Sequence, residues 1–211
     1  MTSPNIARQE RAALCDLFLE IGPDQPTLCT GWTTRDLAAH LVIRERRPDA
    51  AAGILLKPLA AWNERVRAAT AARPYEEVVG LLRRPPLWSL GAVGPLDRAT
   101  NTVEFFVHHE DVRRGQPDWQ PRRLDPQTTR ALWHSVRGLA RLALRRFPAS
   151  IEIHAPGSGD APGGAGGPTV RVTGEPGELV LFLTGRQRAA RVEITGPEDV
   201  TQRLGRARLG L

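Results

Sequence analysis

Apolar positions in the first two thirds of the chain recur every three or four residues, a spacing that places side chains on one face of an α-helix. Leu14, Leu17 and Ile21 show this spacing just before Gly22 and Pro23, which favour a helix end there. The same pattern, with its breaks, predicts six helices, at residues 4–21, 33–47, 58–73, 75–83, 99–114 and 126–147. The first part of the chain is therefore predicted to be a helical domain.

Two of these helices allow more specific expectations. Thr33 and Asp36 have the spacing of a capping box, so the second helix is expected to begin at Thr33. In the third helix, Leu59, Trp62, Val66 and Ala69 share a face that we expect to point inward.

The pattern changes after Pro148. Alternating apolar residues predict strands at 150–154, 170–172 and 192–194, and two short helices are expected at 176–185 and 197–204. Residues 156–168 are rich in Gly, Pro and Ala, which favours a flexible surface loop. We therefore predict a helical domain at 1–147 and a small α/β domain at 148–211.

Charge and composition narrow the function classes. The 211-residue chain has a net charge of +6, almost all of it from arginine, with Lys57 as the only lysine. Its basic pairs are spread along the sequence instead of being massed with aromatic residues, so we expect no nucleic-acid binding. No long apolar run and no signal-peptide layout is present, which predicts a cytoplasmic protein that does not span a membrane. The two cysteines, Cys15 and Cys29, are expected to be structural thiols, with a reactive Cys29 as the alternative.

Glu104 and His108 are the first candidates for chemistry. They are four residues apart on one predicted helix, so both side chains lie on one face, within reach of a single ion. His40 lies on the apolar face of the second helix, and a helical bundle can bring such residues together around a metal. Two imidazoles and one carboxylate suit Zn²⁺, with Ni²⁺, Fe²⁺ and Mn²⁺ as alternatives. A surface Glu–His pair and a histidine packed in the core remain the competing interpretations.

Other polar residues are expected to support the ligands or to lie outside the site. Asp111, one turn beyond His108, is expected to steady a ligand histidine without binding the ion itself. His134 is expected to pack in the core, with a role as the reserve ligand as the alternative. His109 points about 100° away from His108, so a loop or solvent contact is expected for it.

Two sequence segments resemble the signatures of a known family. Residues 31–41 (GWTTRDLAAHL) and 102–114 (TVEFFVHHEDVRR) are similar to the two motifs of the mycothiol-dependent maleylpyruvate isomerases, within the DinB-like superfamily. The residues of the second segment are closer to those of an uncharacterised metal-binding branch than to those of the isomerase itself. The resemblance implies an up-down four-helix bundle (DinB-like) followed by a small α/β domain. It also implies metal ligands at His40, Glu104 and His108, and mycothiol as a thiol cosubstrate.

These observations predict a divalent-metal-binding enzyme, an isomerase or S-transferase in which the metal activates a thiol that attacks an electrophilic small molecule. A non-enzymatic metal-binding or small-ligand carrier protein is the alternative. No catalytic residue besides the ligands can be named, and the sequence leaves monomer and homodimer equally open.

Overall fold

The computed structural model describes residues 5–47, 49–51, 57–86 and 95–210. Contacts divide the chain into two compact units, residues 1–121 and 122–211. The loop predicted between the fourth and fifth helices falls largely on residues 87–94, which lie outside the described residues.

The first unit is helical throughout its described elements. Its helices are α1 (Ile6–Ile21), α2 (Thr34–Arg46), α3 (Ala60–Ala71, preceded by a 3₁₀ turn at Lys57–Leu59), α4 (Tyr75–Arg83) and α5 (Pro95–Arg113). Helix α4 has the predicted bounds, and those of the other four differ from the predicted ones by a few residues at the ends, where helices fray.

A single apolar cluster joins α1, α2, α4 and α5. Helix α4 packs against both α1 and α2, and α5 packs against α1. The cluster includes Leu14, Phe18, Leu41, Leu82 and Phe105, each with no exposed surface. Because each helix contributes an apolar stripe to this core, the polar residues between the stripes are held in fixed positions.

Helix α3 buries less of its surface than its pattern predicts. Val66 is buried, but Trp62 and Leu59 keep 44% and 38% of their surfaces exposed, and Ala69 is exposed as well. The expectation that these three residues point inward is therefore wrong. Helix α3 packs on α2, and its buried residues are Val66 and Ala71.

The second unit combines three helices with a four-stranded sheet. Its elements are α6 (Pro126–Ala143), β1 (Ser150–Ala155), β2 (Gly159–Gly164), β3 (Thr169–Thr173), α7 (Pro176–Leu183), β4 (Glu193–Thr195) and α8 (Glu198–Arg206). The strand order is β2-β1-β3-β4, with β1 parallel to β3 and the two outer pairs antiparallel. Every residue of α7 is buried, so this helix forms the centre of the unit.

The segment predicted as a flexible loop contains strand β2. Residues 159–164 pair in full register with β1, for example Ile153 with Ala161. The glycines permit this pairing, because a Cβ at Gly163 would lie 2.8 Å from Leu144 and one at Gly164 would lie 1.9 Å from the carbonyl oxygen of Ala149. The absence of apolar side chains in this segment reflects close packing rather than flexibility.

Helix α6 accounts for the position of the division between the units. The sequence places the boundary at 147/148, after this helix, whereas contacts place it at 121/122, before it. The reason is that α6 packs against β2 and α7. At the coarser level the prediction is confirmed, because a helical part precedes a small part that mixes helices and strands.

Within the part of the chain that the structure describes, no helix is both long enough and apolar enough to cross a membrane.

Candidate metal centre

His40 is positioned by the cap of α2. The Thr33 side chain and the Asp36 carboxylate form the predicted capping box, which fixes where the helix begins. One turn later His40 lies buried in the first unit, with its ring 5.1 Å from the Trp32 ring and 5.4 Å from the His108 ring, measured between centroids. The cap thus determines which face of α2 carries the imidazole.

Helix α5 supplies the other two side chains. Glu104 Oε1 lies 3.3 Å from His108 Nε2, one turn along the same helix, and 3.8 Å from His40 Nε2. Ligand atoms from these three residues all lie within 4.8 Å of one another. The structure therefore brings together the two histidines and the glutamate that the sequence analysis proposed as ligands.

The cluster is shielded but accessible. Both imidazole side chains are 11% exposed, whereas the Glu104 side chain keeps 25% of its surface. Glu104 is therefore the most exposed of the three side chains.

Arg44 borders the cluster one turn beyond His40. Its Nε lies 3.2 Å from Glu104 Oε1, and its Nη1 donates a hydrogen bond to Asn101 Oδ1 at 2.7 Å. This guanidinium contributes a fixed positive charge beside the carboxylate, so it favours the ionised form of Glu104.

Burial and hydrogen bonds shift the pKa values of all three side chains. Burial lowers the pKa of His40, and the neighbouring His108 lowers it further. Burial also works against charge on His108 and Glu104, but it is outweighed. Hydrogen bonds that the ring forms with Asp111, Cys29 and Glu104 raise the pKa of His108 well above its ordinary value. Those from His108 and His40 hold the pKa of Glu104 well below its own.

A second layer of polar groups lies behind His108. Its Nδ1 is 2.9 Å from Asp111 Oδ2, as expected for a carboxylate that orients a ligand histidine. The Cys29 thiol lies 3.3 Å from the same Oδ2 atom. Cys29 could not be placed here from sequence, because it belongs to the irregular segment before α2, whose path no periodic pattern predicts.

The remaining histidines stay out of this cluster. His109 was expected to contact a loop or solvent, but it is buried and its Nδ1 lies 2.8 Å from Glu10 Oε2 on α1, so that expectation is wrong. The reason is that α5 also buries the face next to that of His108, against α1. His134 is exposed on α6 in the second unit, so the expectation that it packs in the core is wrong, and it lies outside the cluster for which it was the reserve ligand.

A helical unit that gathers two histidines and a glutamate, followed by a unit built on a four-stranded sheet, defines a two-part architecture. Two solved structures have the same fold. The crystal structure of the mycothiol-dependent maleylpyruvate isomerase superimposes with a TM-score of 0.60 at 16% identity, covering 92% of this chain and 96% of that one. A histidine-to-alanine mutant of that enzyme gives the same TM-score and coverage at 15% identity.

At this level of identity the likeness establishes the fold. No family model matches the chain. No curated protein matches its sequence significantly either.

Proposed function

We propose that this protein is a divalent-metal-dependent enzyme that uses a low-molecular-weight thiol, in the manner of a mycothiol-dependent isomerase or S-transferase. The observation that carries the proposal is the convergence of ligand atoms from His40, Glu104 and His108 within 4.8 Å of one another. The shared fold with a mycothiol-dependent isomerase supports the choice of thiol. We also propose that the first unit is a DinB-like four-helix bundle and that the protein is cytoplasmic.

The donor set fits a borderline divalent ion. Two imidazoles and one carboxylate form a catalytic type of zinc set, which leaves at least one position open for an exogenous ligand. An ion held there would lower the pKa of a bound thiol, so that a thiolate nucleophile is present at neutral pH. We therefore assign Zn²⁺ to these three residues.

The chain's own residues have distinct tasks in such a reaction. His40, Glu104 and His108 hold the ion, and Asp111 keeps the His108 ring in one orientation through its Nδ1. Trp32 lies against the His40 ring, with 5.1 Å between the ring centroids, and limits its movement. Arg44 pairs with the Glu104 carboxylate at 3.2 Å and holds it beside the two imidazoles.

Elemental analysis of purified protein tests the metal site. We expect about one equivalent of divalent metal in the wild type and in the control His134→Ala, which changes an exposed histidine of the second unit. The His108→Ala variant should lose it while keeping its circular dichroism spectrum. Equal metal content in all three proteins would exclude the proposed ligands.

Turnover assays test the chemistry. The zinc-loaded protein is mixed with maleylpyruvate and either mycothiol or glutathione, and formation of the trans isomer is followed. Mycothiol-dependent isomerisation that is lost in His40→Ala supports an isomerase. Consumption of mycothiol with an alkylating electrophile, but not with maleylpyruvate, indicates an S-transferase. If the protein at full metal occupancy catalyses neither reaction, the enzymatic role is refuted.

A further inference from the structure

The two ring nitrogens of His108 face two different carboxylates. Its Nε2 points to Glu104 at 3.3 Å, and its Nδ1 points to Asp111 at 2.9 Å. The Cys29 thiol lies 3.3 Å from the same Asp111 oxygen. Ligand atoms of Cys29, His108 and Asp111 lie within 4.8 Å of one another, so a second set of potential metal ligands adjoins the first.

Backbone contacts fix Cys29 against helix α5. The amide of Leu28 donates to the carbonyl of Asp111 at 3.0 Å, and the amide of Cys29 donates to Thr27 Oγ1 at 3.1 Å. The Gln116 side chain donates to the carbonyl of Pro26 at 3.0 Å. These contacts hold the segment that carries the thiol beside the Asp111 carboxylate, as a preformed chelate requires.

The two sets differ in the metals they prefer. The first offers only nitrogen and oxygen, whereas the second offers sulfur together with nitrogen and oxygen. Thiolate ligands select thiophilic ions such as Cd²⁺, Cu⁺ and Zn²⁺. Sulfur thus distinguishes the two sets chemically, although they share one imidazole.

We propose that Cys29, Asp111 and Nδ1 of His108 form a second cation site, which binds thiophilic ions and competes for His108 with the site formed by His40 and Glu104. The competition follows from the imidazole, because a neutral ring has one acceptor nitrogen and one N–H. When Nδ1 holds an ion, Nε2 keeps its proton and donates to Glu104. A thiophilic ion at this second site therefore displaces the ion of the first.

The competition for His108 rests on the proposed function, because it requires an ion at His40 and Glu104. The sulfur-containing site depends only on the geometry of Cys29, Asp111 and His108. Cadmium titration tests the latter, because a cadmium–thiolate bond produces an ultraviolet charge-transfer band. We expect this band in the wild type, in His40→Ala and in the control Cys15→Ala. It should be absent in Cys29→Ala.

Cys15 is a matched control because it is the other thiol of the chain and lies in the core of the same unit. Burial raises its pKa to about 12, so it should bind no cadmium. A band that persists in Cys29→Ala, or that never forms in the wild type, would overturn the proposal. Cadmium-113 NMR of the wild type provides a test without any variant, since only sulfur ligation gives a strongly downfield resonance.

Displacement of zinc tests the competition. Zinc-loaded wild type is titrated with cadmium while released zinc is measured with a chromogenic chelator. We expect one zinc released for each cadmium that contributes to the band. Simultaneous retention of both ions would refute the exclusive use of His108. Failure of His40→Ala to lower zinc binding would count against the proposed function alone, and loss of the band in that variant would count against the second site.

Discussion

His108 is the residue on which the candidate centre depends most. Both of its nitrogens are engaged, Nε2 with Glu104 and Nδ1 with Asp111, and its ring packs edge-on against His40. Because two carboxylates hold the ring from opposite sides, its orientation is set before any ion binds. A preorganised ligand loses little conformational entropy on binding, which favours affinity.

Replacement of Asp111 by asparagine should weaken metal binding. The neutral amide orients the imidazole less strongly and lowers the basicity of Nε2, so we expect the affinity for Zn²⁺ to fall by about 10- to 100-fold. Competition with a chelator of known affinity measures the change. Asp125→Asn, at the N-cap of α6, should leave the affinity unaltered. An Asp111→Asn variant that binds zinc as tightly as the wild type would show that the carboxylate does not support the site.

At the residue scale, the sequence identified the side chains whose spacing is regular. Glu104 and His108 share a helix face by their separation alone, and His40 was conspicuous on an apolar stripe. Cys29 could not be placed, because its position depends on loop hydrogen bonds such as that between Leu28 and Asp111. His109 was misjudged because a single helix pattern cannot reveal that two adjacent faces are both covered.

At the scale of elements, the cap of α2 links three parts of the first unit. Asp36 accepts hydrogen bonds from the Thr33 amide and hydroxyl, each at 3.0 Å, and forms an ion pair with Arg67 of α3. Arg67 in turn lies over the Trp32 ring. The cap therefore holds α3 and the segment before α2 together next to His40.

The same carboxylate makes stability depend on pH. Burial favours its neutral form, but the hydrogen bonds from Thr33 and Arg67 outweigh this and hold the pKa of Asp36 below its ordinary value. A pKa that is lower in the folded state gives stability that is fully present above the unfolded-state pKa and is lost as pH falls through the folded-state pKa. Asp36→Asn should cost about 1 kcal/mol at pH 7, and this difference should shrink between about pH 5 and pH 2.

Urea unfolding at several pH values measures this effect. The exposed Asp24 offers a control, and Asp24→Asn should follow the wild type throughout. A difference between wild type and Asp36→Asn that stays constant down to pH 2 would mean that the ionised carboxylate does not contribute.

The close approach of the segment before α2 to the end of α5 permits no side chain at Gly115. A Cβ there would lie 2.5 Å from the carbonyl oxygen of Pro26 and 2.7 Å from Cα of Thr27. Backbone atoms cannot move aside cheaply, so Gly115→Ala should destabilise the protein by about 1–3 kcal/mol.

Gly80→Ala provides the matched comparison for this substitution. Gly80 lies within α4, and a Cβ there meets nothing within 4 Å, so we expect a gain of up to about 1 kcal/mol from helix propensity. Thermal unfolding of both variants measures the contrast. Equal stability of the two would show that the segment adapts freely to the added methyl group.

Among the elements, those with strong patterns were predicted and those built by tertiary packing were not. The capping box of α2 is present as expected, and α4 has the predicted bounds. Strand β2 was missed because Gly159–Gly164 carries almost no apolar signal, and its pairing with β1 depends on the fit of glycines against Leu144 and Ala149. Sequence periodicity does not report such a fit.

At the scale of the whole molecule, all proposed ligands belong to one of the two units. His40, Glu104 and His108 lie within residues 1–121, as do Cys29 and Asp111. Binding of an ion therefore stabilises the folded state of that unit directly, by mass action.

Hydrogen exchange should report this difference between the units. Addition of Zn²⁺ should slow amide exchange in α2 and α5 and leave β1 and β3 unchanged, because local opening of the first unit must release the ion. Mass spectrometry of peptides from both units measures the rates, with His108→Ala as the control that shows no response. Uniform protection of all four elements, or none at all, would contradict a site confined to residues 1–121.

The general architecture was predictable because helical and alternating patterns occupy different parts of the chain. The position of the division was not, because α6 has the same 3.6-residue pattern as the helices before it. Only its packing against β2 and α7 assigns it to the second unit. A helix pattern shows that one face is buried without showing which partner buries it.

Glu104 already neutralises Arg44 at 3.2 Å, so a cation at the same carboxylate shares its negative charge with a guanidinium. Shared charge means a weaker electrostatic hold and a faster escape of the ion into solution. In that case Zn²⁺ at the proposed site would exchange with Fe²⁺ or Mn²⁺ wherever these ions are in excess. Preparations from zinc-rich and iron-rich cultures should accordingly carry different metals.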